Sequence, residues 1–116
     1  MPCELAAIKL FEQSRIEKKQ AGCYYGPGKA ANAGGVAISG VEMSQNAQRL
    51  TWTPEEVDQK LKDVMKEAFE ACLKDGAEFP ADGDSAAKEV PSLVVGANVS
   101  GFRKVADAMK AHGDWW

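Results

Sequence analysis

The run TWTPEEVDQKLKDVMKEAFEACLKDG, residues 51–76, decides how this chain folds. Thr53 and Glu56 have the spacing of a capping box, in which a hydroxyl and a carboxylate each accept an N–H at the start of a helix. Pro54 stands at the first helical position, where its missing N–H leaves no bond unmade, and Trp52 and Val57 are placed as a hydrophobic staple. Val57, Leu61, Val64, Met65, Ala68, Phe69, Cys72 and Leu73 then form a wide apolar stripe of helical period, and Gly76 predicts the stop. A helix striped in this way must bury one face.

Beyond Gly76, residues 77–91 carry Pro80, Asp82, Gly83, Asp84 and Pro91 and predict a surface loop that tolerates changes of length. Ser92 is placed to cap a last helix, with Leu93, Val94, Val99, Phe102, Val105, Ala106 and Met109 at its apolar positions. His112-Gly113 closes it, and His112 suits the negative end of the helix dipole. Toward the N-terminus, Leu5, Ile8 and Phe11, with Leu10 and Ile16, predict a helix over 3–16 with Pro2 near its first turn. Glu17–Gly22 ends that helix, and Cys23-Tyr24-Tyr25 reads as a short strand stopped by Gly26-Pro27-Gly28. A strand of that length needs a partner for its backbone groups. Residues 29–50 start rich in Ala and Gly and become an amphipathic helix through Met43, Ala47 and Leu50. The expected fold is mainly α with one short strand.

Composition narrows the function classes. With 116 residues the chain can hold one modest core; 45% hydrophobic and 27% charged residues are the balance of an ordinary folded protein. Fourteen Lys and Arg against seventeen Asp and Glu give a net charge of −3 with signs interleaved, so no basic stripe is available to neutralise phosphates and nucleic acid is not an expected partner. No apolar run approaches the roughly 20 residues that cross a bilayer, so no membrane partner is expected. No signal-peptide pattern opens the chain, and the expected location is cytoplasmic. Cys3, Cys23 and Cys72 lie far apart without CxxC spacing; they read as reduced thiols, two of them buried, with no metal site expected.

Two stretches carry chemical interest. Gly26-x-Gly28 before a helix has the look of a phosphate cradle, but it lacks the third glycine of the dinucleotide fingerprint and Pro27 removes a donor, so a strand-to-helix turn is the simpler reading. In the run from Lys29 to Gly40, Asn32 and Ser39 are polar handles among small residues, as in many ligand pockets; tight helix packing with Asn32 capping a turn is the competing reading. His112 at a helix end has no second member for His-based catalysis, and Glu42, Glu55, Glu56, Asp58 and Asp63 read as solvated helix faces. Trp115 and Trp116 read as a terminal aromatic pair packed on a core.

Residues 26–46, GPGKAANAGGVAISGVEMSQN, resemble the signature of the hexameric glutamate dehydrogenases, within the Glu/Leu/Phe/Val dehydrogenase family. The likeness continues through Arg49-Leu-Thr-Trp, through the helix to Ala71-Cys72 and through residues 96–109, GANVSGFRKVADAM; the ending Gly113-Asp-Trp-Trp is similar to NADP-type eukaryotic members. Residues 77–88 match no motif of the family. The resemblance implies a C-terminal part of an α/β Rossmann-type subunit, with Met1 an internal methionine. Residues 1–51 would be the end of the dinucleotide-binding domain and a hinge helix, and residues 52–116 helices returning to the substrate domain, together not an independent complete domain.

The same resemblance implies an oxidoreductase of amino-acid metabolism and nitrogen assimilation. It would convert L-glutamate, NADP and water to 2-oxoglutarate, ammonia and NADPH, as a homo-oligomer. It places Asn32 by the nicotinamide, making it the cofactor-binding residue, and Val36 and Ser39 in the substrate pocket, where a hydroxyl can donate to a carboxylate and a branched wall can hold a methylene stem. No catalytic residue falls in this chain, because the family's catalytic lysine and aspartate and its glycine-rich loop correspond to positions before Met1. The isolated chain is therefore expected to be inactive. The alternative is a stand-alone helical interaction module without catalysis.

Overall fold

At Thr53 the capping box forms as its spacing requires: the hydroxyl accepts the Glu56 N–H at 3.2 Å and the Glu56 carboxylate accepts the Thr53 N–H at 2.7 Å. The structure is a computed structural model describing residues 3–113. Its helices are α1 (Leu5–Lys18), continued by a 3₁₀ turn at Lys19–Ala21, α2 (Gly28–Ala31), α3 (Ala33–Gln48), α4 (Pro54–Glu78) and α5 (Leu93–His112). The expected helical class holds. Cys23–Tyr25, expected as a strand, joins no ladder among the described residues, because no neighbouring strand offers its backbone a partner. Pro2, Trp115 and Trp116 lie outside the described residues.

The axis of the structure is the antiparallel pair α4–α5. Two glycines set how closely these helices cross. A Cβ on Gly96 would stand 1.8 Å from the Cys72 carbonyl oxygen, and one on Gly76 would stand 2.5 Å from that of Ser92. Gly76 is therefore not the expected helix stop. It lies inside α4, which runs two residues further, and its missing side chain is what lets the chain return past it. Ser92 caps α5 as expected, accepting the Val95 N–H at 3.2 Å, and Gly113 ends it in the left-handed region at φ 78°. Arg103 fastens the pair further with a 2.7 Å bond to Asp75 on α4.

The segment between the two helices corrects the sequence reading most. Residues 77–91 were expected to be a surface loop, and 77–83, 85, 88 and 89 are exposed, yet Ala86, Ala87 and Val90 within it are among the most buried residues of the chain. Arg15 of α1 is buried with them, at 2% exposure. Composition predicted the turns correctly, but the Val90 carbonyl accepts from Arg15 of α1 and the buried side chains of Ala86, Ala87 and Val90 are out of solvent. The cysteines divide differently than expected: Cys72 is buried, Cys3 half-buried and Cys23 exposed.

The helices do not close into a compact body. The radius of gyration is 17.1 Å, against roughly 13 Å for a compact chain of this length. The accessible surface is 8476 Å², where a compact monomer of this mass exposes roughly 6,100 Å². The excess is apolar in part: Leu5, Leu10, Val36, Met43, Phe69, Phe102 and Val105 are exposed. Of the apolar face expected on α4, Leu61 and Val64 are half-covered and Phe69 is open.

Candidate functional site

The small-residue run does not form one continuous helix. Pro27 precedes α2 in an extended conformation, and the backbone turns at Asn32 (φ −92°, ψ 1°), which ends α2 and begins α3. Asn32 uses backbone only: its N–H reaches the Gly28 carbonyl at 2.9 Å, while its side chain makes no capping bond. Asn32 as a side-chain cap is thereby excluded. Its exposed carboxamide stands beside the first turn of α3.

Gly34 orients α3. It is buried, and a Cβ there would meet Leu61 Cδ1 at 2.7 Å and Met65 Sδ at 3.1 Å, so the absence of a side chain lets α3 lie on α4. At about 3.6 residues per turn, Val36 and Ser39 emerge close to half a turn from Gly34. Both are exposed, Val36 at 78%. Asn32, Val36 and Ser39 therefore share one open face, spaced i, i+4 and i+7, opposite the face that packs. The run has a packed side and an open side: Gly34 packs tightly, while a Cβ on Gly35 or Gly40 would meet nothing within 4 Å. Met43 extends the face by one more turn and is also exposed.

The packed side holds two recesses. One, of about 260 Å³, is lined by apolar atoms of Gly26, Pro27, Ala30, Met65, Phe69 and Leu93. A lining this apolar is no phosphate cradle, so Gly26–Gly28 is the turn into α2, as the simpler reading has it. Cys72 adjoins the recess; burial, followed by the charge of Asp75, pushes its thiol pKa up despite the opposing charge of Lys29, so it is held as a neutral packing group. The second, of about 470 Å³, lies between α2, α4 and α5 and includes Lys29, Glu67, Ser100 and Lys104. The Lys29 ammonium donates to the Asn98 side-chain oxygen across it. Asn32, Val36 and Ser39 line neither recess.

Chemically the open face offers an amide, a hydroxyl and a branched apolar side chain on small-residue backbone. These groups can orient a ligand; none is a strong acid or base. Among the described residues, no cluster of three or more His, Cys, Asp or Glu is placed to hold a metal ion. No helix of the described residues is long and apolar enough to cross a membrane. His112 is exposed at the end of α5, as its sequence position suggests.

Residues 1–113 match the family model described as Glutamate/Leucine/Phenylalanine/Valine dehydrogenase. The chain is 56% identical over its full length to an NADP-specific glutamate dehydrogenase of Botryotinia fuckeliana and 55% identical to one of Neurospora crassa, covering 25% of each. It thus spans about a quarter of the length of the curated relatives it matches. Among solved structures it superimposes on a glutamate dehydrogenase with a TM-score of 0.78 at 40% identity, covering all of this chain and 23% of that one. A glutamate dehydrogenase 2 of Plasmodium falciparum follows with a TM-score of 0.76 at 40% identity, covering 99% of this chain and 22% of that one.

Proposed function

This chain belongs to the Glutamate/Leucine/Phenylalanine/Valine dehydrogenase family, and we propose that it forms one wall of the cleft in which an NADP-dependent glutamate dehydrogenase oxidises L-glutamate to 2-oxoglutarate and ammonia. The observation that carries this is the shared open face of Asn32, Val36 and Ser39, turned away from the contact of Gly34 with α4. Such a face suits a helix that meets its ligands across a gap supplied by the rest of a larger subunit.

On this reading Asn32 is the coenzyme-facing residue, its carboxamide able both to donate to and to accept from the nicotinamide side of NADP. The coenzyme supplies the hydride acceptor; the protein orients it. Gly35 fits the same role, since the backbone beside Asn32 is open to close approach. Ser39 donates to the distal carboxylate of glutamate or 2-oxoglutarate, and Val36 walls the methylene stem. Residues 1–51 close the coenzyme domain and residues 52–116 return toward the substrate domain of a cytoplasmic homo-oligomer. Acid–base work is assigned to a lysine and an aspartate outside these 116 residues, so the isolated chain is an inert part of an oxidoreductase.

The test is to graft this chain in place of the matching quarter of the Botryotinia fuckeliana enzyme and to assay NADPH formation from glutamate beside the isolated chain. The graft should turn over. The isolated chain should not, since losing positioned acid–base groups alone costs about 10²–10⁴-fold. Turnover by the isolated chain on the order of 10 s⁻¹, ordinary for an enzyme, would overturn the reading.

A further inference from the structure

α1 needs something to hold it. It packs no substantial face on α3, α4 or α5, and Leu5 and Leu10 on its apolar side are open to solvent. Phe11 stacks on Tyr25, with ring centroids 5.5 Å apart, and Tyr25 belongs to the return that follows α1. The firm attachment is polar. The Arg15 guanidinium enters the segment between α4 and α5 and donates to both carboxylate oxygens of Asp84, at 2.6 and 3.4 Å, and to the Val90 carbonyl. Its Nε donates to Glu12 at 3.1 Å, one turn back on α1.

Both charged groups are out of water, with side chains 2% and 3% exposed. Burial alone pulls the pKa of Arg15 down, but the bond to Asp84 and the charges of Glu12 and Asp84 more than offset it and leave it raised, so the guanidinium stays charged. Asp84 is itself held, because its Oδ1 accepts the Ala86 N–H at 3.1 Å. On the other side of Arg15, Gly22 returns so closely that a Cβ on it would stand 3.0 Å from Arg15 Cα and 2.6 Å from the Ser14 carbonyl. One residue thus joins the α4–α5 elbow to the return that runs into α2 and α3.

We propose that Arg15 and Asp84 form a latch whose forked geometry, rather than its charge alone, sets the position of α1 and of residues 22–27 on the α4–α5 pair. Arg15 is a positioning residue: through Gly22 it fixes where the chain enters Gly28. A fork is needed because three acceptors, two on Asp84 and one on Val90, lie around one planar cation. Lysine presents a point charge on a flexible stem and cannot meet all three in that plane. The exposed pair Lys19–Glu89, 2.9 Å long, runs alongside but lies in water, where such pairs contribute little.

Amide hydrogen exchange on the grafted subunit described above tests this, comparing the parent graft with Asp84→Asn, Arg15→Lys and Lys19→Gln. Removing one partner of a buried pair strands the other, so Asp84→Asn should speed exchange across 8–18 and 86–90 by about a hundredfold. Arg15→Lys should speed the same amides by about tenfold, and Lys19→Gln by less than about threefold. In all three variants residues 57–72 of α4 should change by less than about threefold. Three results would each overturn the latch: no protection of 8–18 in the parent, an acceleration spread equally over α4 and α5, or Arg15→Lys indistinguishable from the parent. The first would mean that α1 is not held, the second that the pair only stabilises generally, and the third that charge without the fork suffices.

Discussion

Ser39 and Val36 stand about one turn apart on the same face, yet their chemistry predicts different failures. In the grafted enzyme, Ser39→Ala removes a donor to a charged carboxylate, worth about 1.5–3 kcal/mol, and should lower kcat/KM for glutamate roughly ten- to a hundredfold with KM for NADP nearly unchanged. A raised KM for NADP with glutamate use spared would place the serine on the coenzyme instead. Val36→Ala changes the volume of an apolar wall and should shift the preference between glutamate and an apolar amino acid by about 1–3 kcal/mol per methylene of fit. Steady-state kinetics with both amino acids separates the two. That these residues share a face was readable from spacing alone, since i, i+4 and i+7 fall on one side of a helix. Their roles were not, because the atoms they would address belong to no part of this chain.

At the scale of elements, the same substitution at two glycines of α5 should have opposite signs. Gly96→Ala places a methyl group against the Cys72 carbonyl and must push α4 and α5 apart, an overpacking worth about 1–3 kcal/mol of destabilisation. A Cβ on Gly101 meets nothing within 4 Å, so Gly101→Ala should stabilise the helix by up to about 1 kcal/mol. Thermal unfolding of the grafted subunit reads both, and equal shifts would mean that the close crossing is not rigid. This contrast explains why the sequence misled at Gly76. Glycine ends helices and also lets backbones approach, and only the partner, here Ser92, decides which use applies. The starts of α4 and α5 were legible because Thr53, Glu56 and Ser92 act on amides within three residues. The burial of Ala86, Ala87 and Val90 was not, because Arg15 meets Asp84 across 69 positions and no local pattern encodes that meeting.

As a whole the molecule exposes roughly 2,300 Å² more than a compact monomer of its mass would, more than one side of a stable interface, which is about 800 Å². Phe69 on α4 and Phe102 and Val105 on α5 contribute to that excess. The isolated chain should therefore self-associate or remain loosely packed. Gel filtration with light scattering and a denaturant titration check this; a monodisperse monomer with a sharp cooperative transition would favour a self-sufficient interaction module instead. The attachment of α1 also sets an order of events in time. α1 is complete at Lys18, whereas Arg15 must wait for partners 69 and 75 positions downstream, which themselves precede α5. At roughly 5–20 residues per second of synthesis, that wait lasts several seconds. During it α1 has neither its carboxylate nor its carbonyl to hold, so it stays unseated while α2, α3 and α4 are made.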